Sequence, residues 1–439
     1  MATTSPAMQH LPARGFAGAL GPLLLLALLM VIGFAVMGSF GVVQEGAKAE
    51  LGLSDNVLGM IQGLGAAVPL VLFSIPIGIL VDRFNRVRLM LILAIVWTAG
   101  TALTAFAPNV TTLVVARMLT GIGTTGALTA ALSLSADLCA PDQRGRALLI
   151  VNLGKALGVA AAFALTGWLF GRYIGHALPD LLAGAPPWRS THAALALLSA
   201  VLLVPLLLMR EPARQEVEAG PGAPFRAVVR ELWSRRAFLI PLFVGQVAVV
   251  MADAAAGIWA SPILSRLYGL QPQDFGGWMG AILFGTGIVG AILGGFAADL
   301  GQKSGRRGGL LIGAVIAAAI GIPAALFSIS PTVPIFAIAF GTLALCGTIT
   351  GLITSVALTV LIPNELRGLC IGAFIAIAGL IGFGLAPSLV AGVSTMLGGE
   401  RHIGQAQAIV GVTVSLLSFF GFLVAMRRAP TTATEEPIR

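Results

Sequence analysis

The sequence predicts an all-α polytopic membrane protein, with twelve transmembrane helices in two six-helix, pseudo-symmetric halves. Composition is the first observation. The 439 residues are 57% apolar and 10% charged, with a mean hydropathy of +0.96. Apolar runs recur at the roughly 20 residues needed to cross a hydrocarbon core about 30 Å thick. The second observation is internal repetition. GILVDRFNRVR from Gly78 and GGFAADLGQKSGRR from Gly294 each follow an apolar run, and they set Asp82 and Asp299 217 residues apart. PDQRGR at Pro141 and PNELRG at Pro363 echo one another at nearly the same offset, placing Arg144 and Arg367 223 apart. Two echoes at nearly one spacing indicate a duplicated membrane unit, as in many secondary transporters.

Taken in order, the apolar runs predict helices over 17–43, 56–81, 89–107, 110–137, 147–170, 192–209, 238–264, 275–299, 309–328, 334–361, 369–396 and 404–426. The chain then divides into a short N-terminal segment (1–16), a first half (17–209), a central loop (210–237), a second half (238–426) and a tail (427–439). An even number of spans puts both termini on one side. That side receives 19 of the 26 Lys and Arg residues, against five (Lys48, Arg172, Arg189, Arg266, Arg401) on the other. The positive-inside rule makes the termini side cytoplasmic. Twenty-three Arg against three Lys suggests a GC-rich bacterial genome, hence an inner membrane. In the central loop Phe225, Val228, Val229, Leu232 and Trp233 fall on one helical stripe, with Arg226, Arg230, Arg235 and Arg236 largely elsewhere. A helix lying on the membrane surface and a plain linker are both open.

The net charge of +8 raises the question of nucleic acid, but the charges lie between apolar runs without a dense basic stripe or stacking aromatics. Cys139, Cys346 and Cys370 show neither disulfide nor zinc spacing, and His10, His176, His192 and His402 are placed outside the spans. No metal, cofactor or nucleotide loop is expected, and the spans lack the convergent nucleophile and base that a membrane enzyme would need. A non-transporting receptor or scaffold remains the alternative of another class.

GILVDRFNRVR, the ARMLTGIG segment (Arg117, Gly121, Gly123), and the Asp137 to Arg144 spacing together resemble the signatures of the major facilitator superfamily over roughly residues 16–427. Asn85 and Val87 depart from the usual Gly and base. ELGLSDNVLGMIQG and LIPNELRG with IGFGLAPSLVAG are similar to the spinster-like branch. That branch generally has an acid in helix 1, where Val36 and its neighbours stand, and a Glu where Thr124 stands, so its proton-carrying acids do not carry over. The resemblance implies a monomeric carrier working by alternating access. It also implies a cytoplasmic gate in which Asp82 joins a charge network with the 4–5 loop and helix 11. Gly78, Asp82, Arg83, Arg86, Asp137, Arg144, Asp299, Arg306 and Arg367 are the candidates for that gate; a purely topological role for their charges is the alternative.

Inside the spans, the residues themselves select a short set. Arg117, with Thr120 and Thr124 at i+3 and i+7, forms a polar stripe that needs a partner or a wet cavity; snorkelling to the interface is the alternative. Asp253, with Gln246 on the same face, is the carboxylate placed deepest, suited to carrying a proton. An attraction between Arg117 and Asp253 across the halves is expected, and a helix-capping role for Asp253 stays open. Asn152 and Lys155 could bind an anionic group or serve structure alone. Gln62 is a weaker cavity candidate. Sparse charge in the spans suits an amphipathic or lipophilic small molecule as cargo. The resemblance to the spinster-like branch implies a lysolipid-like or drug-like one, and Asp253 suggests movement with protons. Uptake of an organic anion, or uniport, is the runner-up.

Overall fold

A computed structural model describes residues 16–140, 143–179, 181–182, 184–214, 233–362 and 364–430. In the first half these form α1 (Phe16–Leu51), α2 (Asp55–Gln62), α3 (Leu64–Arg83), α4 (Arg86–Ala105), α5 (Val110–Leu138), α6 (Arg144–Ile174) and α7 (Pro187–Leu207). The second half contains α8 (Arg236–Tyr268), α9 (Pro272–Lys303), α10 (Ile312–Ala324, flanked by 3-10 turns), α11 (Val333–Leu361), α12 (Asn364–Ile377), α13 (Ala386–Met396) and α14 (Ile403–Arg428). Among the described residues eleven helices are long and apolar enough to cross a membrane, and the broken pair α2–α3 supplies the twelfth crossing. Twelve crossings put both described ends, Phe16 and Pro430, on one face, termed here the termini face, and the other is the far face. The stripe expected at Phe225, Val228, Val229 and Leu232, with Arg226 and Arg230, lies outside the described residues. Beside it Trp233 is exposed, with the Arg236 guanidinium 5.8 Å from its ring centre.

Local chemistry explains the helix boundaries. Ser54, Asn85 and Asn109 accept from Val57 N, Arg88 N and Thr112 N at the starts of α2, α4 and α5, each satisfying a backbone donor a helix start leaves open. Gln271 and Asp274 cap one another at the start of α9, a reciprocal arrangement of the capping-box kind. Gly269, at φ 67°, ends α8 in the left-handed conformation that glycine adopts without strain. The second span breaks at Gly63. A β-carbon there would collide with the carbonyl of Gly384, which lies in a π-helical stretch, Ala378–Leu385, between α12 and α13. Two irregular backbones thus meet where only glycine permits the approach.

The halves meet mainly toward the far face. Gly167 of α6 lies against Pro272 and Gly276 of α9, and Gly280 lies against Ala160 and Ala164, a small-residue seam that lets backbones come close. One buried apolar cluster crosses this seam, joining Phe40, Leu58 and Phe163 to Trp259, Phe275 and Val390. Two further clusters stay within a half. One holds Leu23, Met30, Met90 and Leu134; the other holds Phe238, Leu242, Leu311 and Leu358. Other small-residue pairs pack within a half instead. Gly154 and Gly158 sit on Ala27 and Val31 of α1, and Gly290 and Gly294 on Thr348 and Leu352 of α11.

Candidate functional site

α1 continues eight residues beyond the end expected from hydropathy, and those two turns carry Gln44, Glu45, Lys48 and Glu50. They build a charge network on the far face that sequence reading missed. Arg266, near the end of α8, donates to Glu45 through Nε (2.9 Å) and Nη2 (2.7 Å), and to both carboxylate oxygens of Asp55 at 2.7 Å. Lys48 Nζ bonds Asp55 Oδ1 at 2.5 Å and also Glu400 Oε2. Glu400 Oε1 accepts from Asp55 N at 2.8 Å. Asp55 is buried and opens α2, where a carboxylate also suits the helix dipole.

Arg266 and Glu400 belong to the second half; Glu45, Lys48 and Asp55 belong to the first. Uncharged bonds extend the seam inward. Gln62 Nε2 donates to Gln44 Oε1 at 2.5 Å, Gln44 Nε2 to Ile258 O at 2.7 Å, and Ser261 Oγ to Val42 O at 2.7 Å. Gln62, a candidate for the cavity wall, therefore sits in the far-face closure.

On the termini face, bonds identified between described residues run within a half or to the segment joining the halves. Arg86 is buried and donates to Asp137 Oδ2 (2.5 Å), Ser133 Oγ (3.1 Å) and Glu211 Oε1 (2.8 Å). Glu211 also accepts from Val87 N at 2.9 Å, and Arg214 caps the end of α3 through the carbonyls of Val81 and Phe84 at 2.8 and 2.9 Å. The first residues of the central loop are thus fastened to the 2–3 turn. Asp82, Arg83, Asp299 and Arg306 are exposed, Gly78 is half-buried, and Arg144 Nε reaches Ala136 O at 3.1 Å. The Asp82 carboxylate has no partner among the described residues. Arg86, rather than Asp82, makes the link to the end of α5. Arg367 lies in α12, with its side chain outside the described part.

Within the membrane, Arg117 turns toward α1. Its guanidinium donates to Val36 O (3.3 Å) and Met37 O and lies 5.5 Å from the Phe40 ring centre. Thr124 Oγ1 donates to Gly33 O on the same helix at 3.1 Å, while Thr120 bonds its own helix at Ala116 O. Asp253 lines a cavity of about 20 Å³ inside the second half, with Ala318 of α10, Cys346, Gly347 and Thr350 of α11, and Ser418 of α14. That is room for about one water. The expected attraction between Arg117 and Asp253 is not formed, because each side chain points into its own half. Asp253 makes no hydrogen bond or ion pair among the described residues. Gln246, two turns earlier, accepts from Thr354 Oγ1 at 2.9 Å.

Lys155 is half-buried, 5.5 Å from the Phe34 ring centre. Asn152 is exposed, with Nδ2 on Leu148 O at 2.9 Å. His192, expected outside the spans, is fully buried in α7. Trp188 O lies 2.8 Å from its Nδ1 and Ser39 Oγ 3.3 Å from its Nε2. The preceding residues, PPW at 186–188, start α7 earlier than hydropathy alone places it.

Comparison with known proteins agrees with this geometry. The family model described as Major Facilitator Superfamily matches residues 23–387. A probable 4-methylmuconolactone transporter from Cupriavidus pinatubonensis is 28% identical over 373 residues, 82% of this chain and 78% of the relative. Protein spinster homolog 3 from Homo sapiens is 30% identical over 277 residues, 57% of this chain and 50% of the relative. Among solved structures, a bacterial homolog to the human lysosomal transporter Spinster, in an inward-facing and unoccupied conformation, superposes with a TM-score of 0.80. Its identity is 21%, covering 94% of this chain and 98% of that one.

Proposed function

Because this chain belongs to the Major Facilitator Superfamily and is a multi-pass membrane transporter, we propose that it moves an amphipathic or lipophilic small molecule by proton-coupled alternating access. The termini face is read as cytoplasmic in a bacterial inner membrane, from the distribution of Lys and Arg. Under this reading the protein stands open to the cytoplasm and closed on the far side, as a monomer akin to the spinster-like branch.

The observation that carries the proposal is the construction of α8. This one helix bears Asp253, which has no partner among the described residues, and Arg266, which ties the halves together on the far face. Thirteen residues separate them, about 20 Å along the axis. An ionisable group at membrane depth marks a proton or substrate path. Charging or neutralising Asp253 changes how α8 seats against α11 at Gly347, and so biases the gate at its end. Arg86, Asp137 and Arg144 form the termini-side part of the mechanism, holding α4, α5 and the start of α6 as one body. Asp82, Asp299 and Arg306 stand free to pair when that side closes. The bacterial relative named as a probable 4-methylmuconolactone transporter supports a second reading, a small organic compound as cargo, and that lactone belongs in the same cargo panel.

The test is flux in proteoliposomes under an imposed pH gradient, with lysolipids, lipophilic cations and organic anions as cargo. Asp253→Asn is expected to abolish gradient-driven accumulation while leaving binding intact. Unchanged accumulation in the variant would refute Asp253 as the coupling acid.

A further inference from the structure

We propose that Lys155 and Asn152 form a recognition site for an anionic group on an amphipathic ligand, in a cavity open toward the termini face. The proposal deepens the carrier reading above and rests on it for the identity of the ligand as cargo.

The argument starts from one stripe of α6. Residues 148, 152, 155, 159, 162, 166, 170 and 173 follow the helical repeat and share a face. At the far-face end this stripe is interior, where Ala162, Thr166, Phe170 and Tyr173 are all buried. Toward the termini face the same stripe opens. Val159 and Asn152 are exposed, and Leu148 and Lys155 are half-buried. The far-face seam beside it is closed by Gly167 against Gly276 and Gly280 against Ala160. A face that is interior at one end and exposed at the other, next to a seam whose close glycine contacts among the described residues lie at the first end, fits the wall of a cavity with its mouth on the termini side.

Lys155 lies eleven residues into α6, about 16 Å from its start. Its ammonium makes no hydrogen bond or ion pair among the described residues and has only the Phe34 ring, 5.5 Å from the ring centre. Attraction to one phenyl face is weaker than the cost of holding an ammonium at that depth. Arg117, the other cation deep in this half, is different: its donors are engaged by the carbonyls of Val36 and Met37. Asn152 stands three residues before Lys155 and so beside it on the helix surface. One N–H of its amide serves Leu148 O, leaving the other for a ligand. An ammonium and an amide N–H side by side suit a carboxylate, sulfonate or phosphate oxygen pair, and charge-assisted bonds of this kind are short and strong. Val159, the next exposed position on the stripe, offers apolar contact for a tail. The ligand class is therefore an amphipathic anion with its charge directed into the membrane interior.

The test uses a matched pair of fluorescent probes on the full-length protein in nanodiscs. These are 1-anilinonaphthalene-8-sulfonate, which carries the anion, and N-phenyl-1-naphthylamine, which lacks it. Lys155→Gln is expected to raise the Kd of the sulfonate by about tenfold and leave the neutral probe within about twofold, while Lys155→Arg keeps most of the sulfonate affinity. Melting curves of all variants separate a binding loss from a folding loss. Equal weakening of both probes, or of neither, would overturn the site. Proteoliposome flux of lysophosphatidylglycerol against lysophosphatidylcholine tests the cargo reading separately. No flux of either lipid, with sulfonate binding still sensitive to Lys155, would leave the anion site standing and overturn its assignment to lysolipid transport.

Discussion

Asp253 faces Gly347 across the contact between α8 and α11, and the fit is steric. A β-carbon at 347 would lie 2.8 Å from the carboxyl carbon, closer than packed atoms come. One turn later, a β-carbon at Gly351 would meet only Gln246 Nε2, at an ordinary 3.7 Å. Gly347→Ala should therefore displace the Asp253 carboxyl and reduce gradient-driven flux about tenfold or more, a barrier change near 1.4 kcal/mol. Gly351→Ala should keep flux and gain slightly in thermal stability, since alanine is the better helix former by roughly 1 kcal/mol. Paired flux and melting measurements check both. If the two variants behave alike, the steric reading fails. Sequence alone singled out Arg117, Asp253 and Lys155, because charge inside an apolar run is conspicuous. It did not show what each would face. A helical wheel gives an azimuth but not the neighbouring helix, so Arg117 and Asp253 were expected to meet, whereas each is turned into its own half. His192 was missed for a related reason: α7 begins at Pro187, several residues before hydropathy rises.

Helix ends show where local reading runs out. Hydropathy stops the first span near residue 43 because Gln44, Glu45 and Lys48 are polar, yet α1 runs on to Leu51. Those charges stay helical because their partners come from α2, α8 and the turn before α14, as far as 352 residues away in the chain. No local pattern encodes such a pairing. The available signal was compositional: Glu45, Asp55 and Glu400 all fall at loop ends on the side that carries Lys48 and Arg266. The broken second span makes a prediction of its own. Gly63→Ala places a β-carbon against the Gly384 carbonyl, and overpacking of this sort costs about 1–3 kcal/mol. The melting temperature should fall, whereas Gly65→Ala, whose nearest neighbour would be Met60 O at 3.4 Å, should be far milder. Comparable losses in both would show that the break does not position the seam.

At the scale of the molecule, fold class, number of spans and duplication were legible because the bilayer imposes them: every crossing must be apolar and internally hydrogen-bonded. The conformational state was not legible. It resides in which charges pair across the seam, and a single sequence has two sets of candidates. The gate motifs on the termini face are conspicuous in sequence, yet in this state the cross-seam bonds lie at the opposite end. Arg266 is central to them, with four short bonds to two carboxylates. Charge-assisted bonds contribute about 1.5–3 kcal/mol each at most, and a bias of about 2.7 kcal/mol shifts a two-state population about a hundredfold. Loss of Arg266 is thus enough to release the far face.

Electron–electron distance measurement on spin-labelled protein in liposomes tests alternating access about this seam most directly. Cys139, Cys346 and Cys370 would first be replaced. One label pair, at Phe106 and Met396, would span the halves on the far face, and another, at Leu149 and Lys303, on the termini face. The protein with Arg266 intact should give a short far-face distance and a long termini-face distance. Arg266→Gln should add a longer far-face population together with a shorter termini-face one. Distances unchanged by Arg266→Gln, or far-face opening with no closure on the termini face, would contradict the assignment of this network as the far-face gate.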